Sequence, residues 1–346
     1  MKCSVVILNW NGEAMLRQFL PIVLQHTQLP DVEIVVADNG STDGSLGYLR
    51  TQPVRIIELG DNYGFADGYN RAIDQVDAEY TVLLNSDVEV TPYWLDSMLD
   101  YMDAHPSTMA AQPKVLSWHS KQQFDKGEIP AIRFEHAGAA GGMMDVLGYP
   151  YCRGRLVAYV EEDHGQYDQV MPIFWATGAC LLVRTSVYKE LGGLDANFFA
   201  HQEEIDLCWR IQTCYPITDD RYPIAVLPQA IIYHVGGGTL GYESPRKTFL
   251  NFRNNLLMLR KNLPLRRLWW VMIIRFFMDY LAALQMLLTG QVANAKAVFQ
   301  ARSQYQQMKR QYPIAHRPSS YAKRNALKIL SCRSIVLDYY LLKKTK

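Results

Sequence analysis

The chain has 346 residues, 49% hydrophobic and 20% charged, which suits one large domain with additions, or two domains, and excludes a globally disordered chain. Its net charge of +1 conceals a division. Residues 245–346 carry 20 Lys and Arg against two acids, Asp279 and Asp338, while residues 1–244 carry 15 against 32. Parts of +18 and −17 imply separate jobs, with an anionic neighbour for the basic one.

The first run, Cys3–Leu8, is too short for the apolar core of a secretion signal and reads as a buried strand. Three more apolar, β-rich runs follow at Val32–Ala37, Val54–Leu59 and Tyr80–Leu84. Helices are expected near 13–27, 43–50, 66–76 and 92–104. This alternation predicts a mostly parallel sheet with helices on both faces. A further strand is expected at 110–117, and residues 118–170 read as a variable, acceptor-side insertion of poor pattern. Residues 172–183 resume regular structure, 201–212 are helical and 225–235 extended. Beyond Pro245 the chain becomes helical and basic, with helices near 245–262, 266–290, 292–311 and 320–342. The six Cys have no Cys-x-x-Cys spacing, as expected of reduced thiols in a cytosolic setting.

Ligands of a parallel sheet bind beyond the carboxyl ends of its strands. Four loops fall there: "NWNG" (9–12), "DNGSTDGS" (38–45), "DNYGFADGYN" (61–70) and "NSD" (85–87). One such loop is ordinary turn chemistry, but four on one edge make a polar cleft. Neither a dinucleotide fingerprint nor a P-loop is present. An acidic cleft of this kind suits a divalent ion, Mg²⁺ or Mn²⁺, shared with substrate phosphates. A second acidic cluster, "EEID", opens a helix at Glu203, where acids are also favoured by the helix dipole. His234 ends an extended run, and a lone His there is more often packed than ligating.

The ordered stretches "SVVILNWNG", "VVADNGSTDGS", "NYGFADGYNRAI", "YTVLLNSDV", "TGACLLVRTSVYKELGGLD", "FFAHQEEIDLCWR", "IIYHVGGGT" and "NFRNNLLMLRKN" resemble family 2 glycosyltransferases, in their bacterial rhamnosyltransferase-like branch. The resemblance runs from about Ser4 to Asn262, with a gap at 118–170. It implies a GT-A fold: a Rossmann-like α/β catalytic domain over 1–244, followed by a basic helical region over 245–346. It implies that Asp38 meets the nucleotide base or ribose and that Asn62, Asp67 and Asn70 close over the nucleotide. Asn9, Ser86, Glu203 and Arg253 join them as substrate-binding candidates. Asp87 becomes the metal-site acid of a signature that reads Asn85-Ser86-Asp87 here, so an amide replaces one carboxylate, and His234 helps hold the metal or diphosphate. Glu204, second of the acidic pair, becomes the general base.

One base and one metal suit a single in-line displacement with inversion, from a nucleoside-diphosphate sugar to a saccharide acceptor, expected to be lipid-linked and destined for the cell envelope. The altered signature also fits a non-catalytic relative that binds nucleotide sugars or carbohydrate.

The 266–288 run is long enough to cross a membrane, but Arg275 and Asp279 sit mid-segment and make insertion marginal. They stand four residues apart and can pair on one helix face. The expectation is a helix on the protein or in the membrane interface, with Trp269 and Trp270 at headgroup level and flanking Lys and Arg toward anionic lipid. That places the protein in the cytoplasm, peripheral at the inner membrane face. Nucleic acid is disfavoured as a partner, since the aromatics of this region cluster instead of interleaving with charge.

Overall fold

The computed structural model describes residues 1–215, 222–236, 244–312 and 334–340. Strands β1 (Cys3–Asn9), β2 (Val32–Asp38), β3 (Arg55–Glu58) and β4 (Tyr80–Asn85) alternate with helices α1 (Glu13–His26), α2 (Ser45–Leu49) and α3 (Gly64–Ile73). The four strands are parallel and ordered β4-β1-β2-β3. Alternation along each strand builds a core on each face. Val5 and Ile7 join Leu16, Leu20 and Val23 of α1, whereas Val6 joins Ala66, Tyr69 and Ile73 of α3. Burial on both faces is why β1 and β4 read as nearly unbroken apolar runs, whereas β3, at the end of the sheet, exposes Arg55 and Glu58.

The chain continues through β5 (Val88–Val90), α4 (Trp94–Ala104), β6 (Ala110–Ser117) and α5 (Trp118–Asp125). The short strands β7 (Gly142–Met144), β8 (Pro150–Cys152), β9 (Arg155–Leu156) and β10 (Tyr159–Val160) form a separate antiparallel sheet. The 118–170 insertion is therefore more regular than its pattern suggested; its strands are too short to leave a period. Next come β11 (Met171–Pro172), β12 (Cys180–Arg184), α6 (Thr185–Glu190), α7 (Glu203–Cys214) and β13 (Ile224–His234).

Among the described residues the main sheet has nine strands, in the path β11-β13-β6-β12-β4-β1-β2-β3 with β5 on β13. β12 runs antiparallel to both β4 and β6, and β13 runs parallel to β6. Hence β1, β2, β3, β4, β6 and β13 all end on one edge.

Helices α8 (Pro245–Asn262), α9 (Leu265–Leu288) and α10 (Val292–Met308) follow, with a short helix at Ile335–Tyr340. The expected 320–342 helix otherwise lies outside the described residues. Leu256, Leu257, Met258 and Leu259 of α8 belong to the same hydrophobic cluster as Val6 and Leu83 of the sheet. Several cations of the basic region are spent internally. Lys261 pairs with Asp195 (2.9 Å) and Asp206 (2.8 Å), and Arg302 pairs with Asp279. Part of the +18 thus meets acids of the preceding residues within the protein.

Candidate active site

The shared strand edge brings the sequence loops together. Asn9 closes β1 beside Asp38 of β2, and its Nδ2 donates to Asp38 Oδ1 (3.2 Å) and Ser41 Oγ (3.1 Å). The Ser41 N–H donates to Asp38 Oδ2 at 2.9 Å. Asn9 Oδ1 is buried without a partner, and a Cβ at Gly12 would stand 2.5 Å from it. Glycine is thus required by a close approach to a binding-edge amide. Ser86 lies beside the same glycine, its Oγ 3.7 Å from that Cβ position.

The α3 loop is organised by Asn39, which sequence reasoning missed although it stands in the "DNG" turn. Its Oδ1 accepts from the Tyr63 N–H (3.1 Å), and its Nδ2 donates to Asn62 Oδ1 (3.2 Å) and Gly64 O (3.0 Å). Asp67 is partly exposed and pairs with Arg71 at 2.8 Å. Asn70 faces elsewhere. Its Nδ2 donates to Leu194 O, and its Oδ1 accepts from the Leu194 N–H and Tyr188 Oη. It fastens α3 to the turn before α7, and its oxygen is fully used.

Beyond β4, the Asp87 carboxylate and the imidazole of His234, at the end of β13, meet with Oδ1 and Nε2 3.2 Å apart. The Asn85 amide is 3.4 Å from the same nitrogen. Glu135, which no sequence motif marked, stands 3.3 Å from His234 Nδ1. All three groups are buried. Burial alone would lower the His234 pKa, but the two carboxylates lift it to about 10. Burial would raise Glu135, yet His234 and the backbone N–H groups of residues 136 and 137 hold it near 2. Asp87 is likewise held below its ordinary value by His234, against burial.

These residues fit a divalent ion. Two cis ligands at about 2.1 Å from an octahedral ion stand about 3.0 Å apart, close to the Asp87–His234 separation. One carboxylate oxygen and one imidazole nitrogen suit Mn²⁺ better than the all-oxygen preference of Mg²⁺, with phosphate oxygens and water completing either shell. Among the described residues no group of three His, Cys, Asp or Glu could hold a metal by itself, so such an ion depends on substrate oxygens.

Glu203 and Glu204 open α7 behind a strained segment. Phe199, His201 and Gln202 have φ of 65°, 70° and 74°, which non-glycine residues rarely adopt. The strain is held from α8. Asn254 Nδ2 donates to Phe198 O (2.9 Å), Ala200 O (2.9 Å) and His201 O (2.8 Å). Arg253 is a correction to the sequence reading. It is buried, and its nitrogens donate to Asn254 Oδ1, Gln304 Oε1, Asn197 O and Phe198 O. Its hydrogen bonds brace the segment. Arg253, Asn254 and Asn255 of "NFRNN" are buried and form the clamp.

Glu203 and Glu204 each have a buried Oε2 with no partner. Burial lifts Glu204 to about 7, and burial with the neighbouring Glu204 charge raises Glu203 well above the usual range. Gly178 separates Glu204 from the α3 loop: a Cβ there would be 3.2 Å from Phe65 Cζ and 3.8 Å from Glu204 Cβ.

Residues 4–144 match the family model described as glycosyl transferase family 2. The N-acetylglucosaminyl-diphospho-decaprenol L-rhamnosyltransferase of Mycobacterium tuberculosis is 30% identical over 216 residues, spanning 59% of this chain and 68% of that protein. The chain belongs to glycosyltransferase family 2. Two solved structures share the fold at 13% identity. GalNAc-T7 with UDP, GalNAc and Mn²⁺ gives a TM-score of 0.54 over 75% of this chain and 48% of that one. The Pyrobaculum calidifontis mannosyltransferase PcManGT with GDP-Man and Mn²⁺ gives 0.52 over 99% and 88%. The fold is GT-A, with a helical C-terminal region.

Proposed function

We propose that this glycosyltransferase moves a hexosyl or deoxyhexosyl group from a nucleoside-diphosphate sugar to a lipid-linked saccharide in envelope polysaccharide synthesis, with inversion. The observation that carries the reading is Glu204, a carboxylate poised near 7 beside the α3 loop. A general base works best with its pKa near the operating pH. In this reading Asn9, Asp38, Asn62, Asp67 and Ser86 line the donor side, and Asn70 and Arg253 position the loops around it. The acceptor oxygen bonds to the anomeric carbon as its proton passes to Glu204 and the bond to the nucleoside diphosphate breaks. Asp87 and His234 would hold Mg²⁺ or Mn²⁺, which neutralises diphosphate charge and so aids the leaving group. The mycobacterial relative, named for a lipid diphosphate acceptor, supports the acceptor class.

We also propose that the protein docks on a membrane surface. Arg275 and Asp279 face inward on α9, where Arg275 lies 4.0 Å from the Tyr149 ring. The opposite face exposes Trp269, Ile273, Phe277, Leu281, Leu284 and Leu288. α9 is long and apolar enough to span a bilayer, but the inward pair gives it one face for protein and one for lipid. Arg266, in the first turn of α9, is exposed and can meet anionic headgroups.

The test is a panel of nucleoside-diphosphate sugars with Mn²⁺ and lipid-diphosphate saccharide acceptors, with the product anomer read by NMR. Transfer with inversion is expected. Retention of configuration would remove Glu204 as the sole base. Donor binding without transfer or hydrolysis would favour the non-catalytic relative.

A further inference from the structure

We infer that Glu135 is a positioning residue that orients His234 toward a divalent ion. This rests on the metal-site reading above. β13 brings His234 beside the β4–β5 turn through pairing of His234 with Val88, and beside β6 through pairing with Ser117. The imidazole therefore has Asp87 on its Nε2 side and needs a partner on its Nδ1 side. The insertion brings the Glu135 carboxylate to that side, at ion-pair distance from Nδ1 but outside hydrogen-bond geometry. The chain after α5 returns past β6, where Phe134 bridges Leu116 and the Glu135 N–H donates to Val115 O at 3.1 Å.

The Glu135 carboxylate is buried and fixed, since its Oε2 accepts from the Ala137 N–H and stands 3.3 Å from His234 Nδ1. A carboxylate in that place keeps a proton on Nδ1. A cation arriving beside Asp87 Oδ1, 3.2 Å from Nε2, then displaces the Nε2 proton and meets that nitrogen's lone pair while Nδ1 keeps its own proton. The imidazole thus has a carboxylate at each ring nitrogen, the one at Nδ1 supplied by the insertion. Residues 118–170 thus contribute to the donor side of the cleft.

The test uses the full chain and Mn²⁺ alone, with affinity read by water-proton relaxation. Glu135→Gln keeps the shape and removes the charge, and is expected to weaken Mn²⁺ binding by about 10–100-fold. Asp87→Asn runs beside it, and thermal melting without metal checks that both variants fold. Long-range ¹H–¹⁵N spectra of the eight histidines, with His234→Gln for assignment, read the tautomer in Mg²⁺. Wild type is expected to carry its proton on Nδ1, and Glu135→Gln to lose that preference. Glu135→Asp, which keeps the charge, serves if Glu135→Gln fails to fold, and its shorter reach is expected to weaken Mn²⁺ binding less than 10-fold. Unchanged Mn²⁺ affinity in Glu135→Gln, with binding lost in Asp87→Asn, overturns the inference and leaves the metal site standing. Unchanged affinity in both overturns the two together.

Discussion

Glu204→Gln separates catalysis from stability because both depend on one buried carboxyl. Gln keeps the size and cannot take a proton from the acceptor. Loss of a general base costs about 10²–10⁴ in rate, or about 3–5 kcal/mol of barrier. The stability effect has the opposite sign. Burial lifts the Glu204 carboxyl from an ordinary 4.5 to about 7, so the folded protein holds that proton more tightly than the unfolded chain. The resulting stabilisation is complete below pH 4.5 and is lost as pH rises through 7. At pH 8 the wild type carries a buried anion whose cost is about 3 kcal/mol, at 1.36 kcal/mol per pKa unit. Gln avoids that cost. Thermal melting should therefore show the variant several degrees more stable at pH 8 and close to wild type at pH 4.5. Initial rates across pH 5.5–8.5 should show wild-type kcat/KM rising to a plateau above about pH 7, and the variant flat and low. A rate within tenfold of wild type, or a variant less stable at pH 8, would refute the assignment of Glu204 as an ionising base.

Glu203→Gln should lower the rate far less than Glu204→Gln, and the reverse order in a side-by-side assay moves the base by one residue. Asp87→Asn should abolish the Mn²⁺ dependence of nucleotide binding while the fold melts normally; unchanged affinity in Mn²⁺ removes Asp87 from the metal site. Asn254→Ala removes the side-chain donor of the Ala200 and His201 carbonyls, while Phe198 O keeps Arg253, and should cost about 2 kcal/mol of stability. It should also lower kcat more than donor affinity, because the strained turn before Glu203 loses its clamp, and equal losses in both would argue for a general folding defect. Replacing Ile273, Phe277 and Leu281 together by Ser should weaken binding to anionic vesicles by more than tenfold, since each buried side chain contributes about 1.5–3 kcal/mol. Vesicle flotation that is unchanged, or that survives high salt and alkaline carbonate in full, sinks surface docking.

Much of this protein was legible in its residues. The runs at 3–8 and 80–84 became β1 and β4 because strands buried on both faces must be almost continuously apolar, the runs at 32–37 and 54–59 became β2 and β3 toward the sheet's end, and each had to turn in Asn, Asp and Gly. The candidates Asp87 and His234 end separate patterned segments, and the fold brings them within 3.2 Å of each other. Local chemistry could not say where a side chain turns once the elements pack. Arg253 and Asn70 were read toward the substrate and point into the protein, because only packing brings the carbonyls of Phe198 and Leu194 within their reach. Arg275 and Asp279 looked like a barrier to insertion, and the fold resolves them by turning both inward and leaving the apolar face outside. Glu135 carries no motif and lies 99 residues from His234 in the chain. Sequence determined which segments form strands and which loops are polar, since those follow from period and turn chemistry. Tertiary structure alone decided that β6 and β13 pair, and that pairing sets a carboxylate, Glu135 or Asp87, at each ring nitrogen of His234.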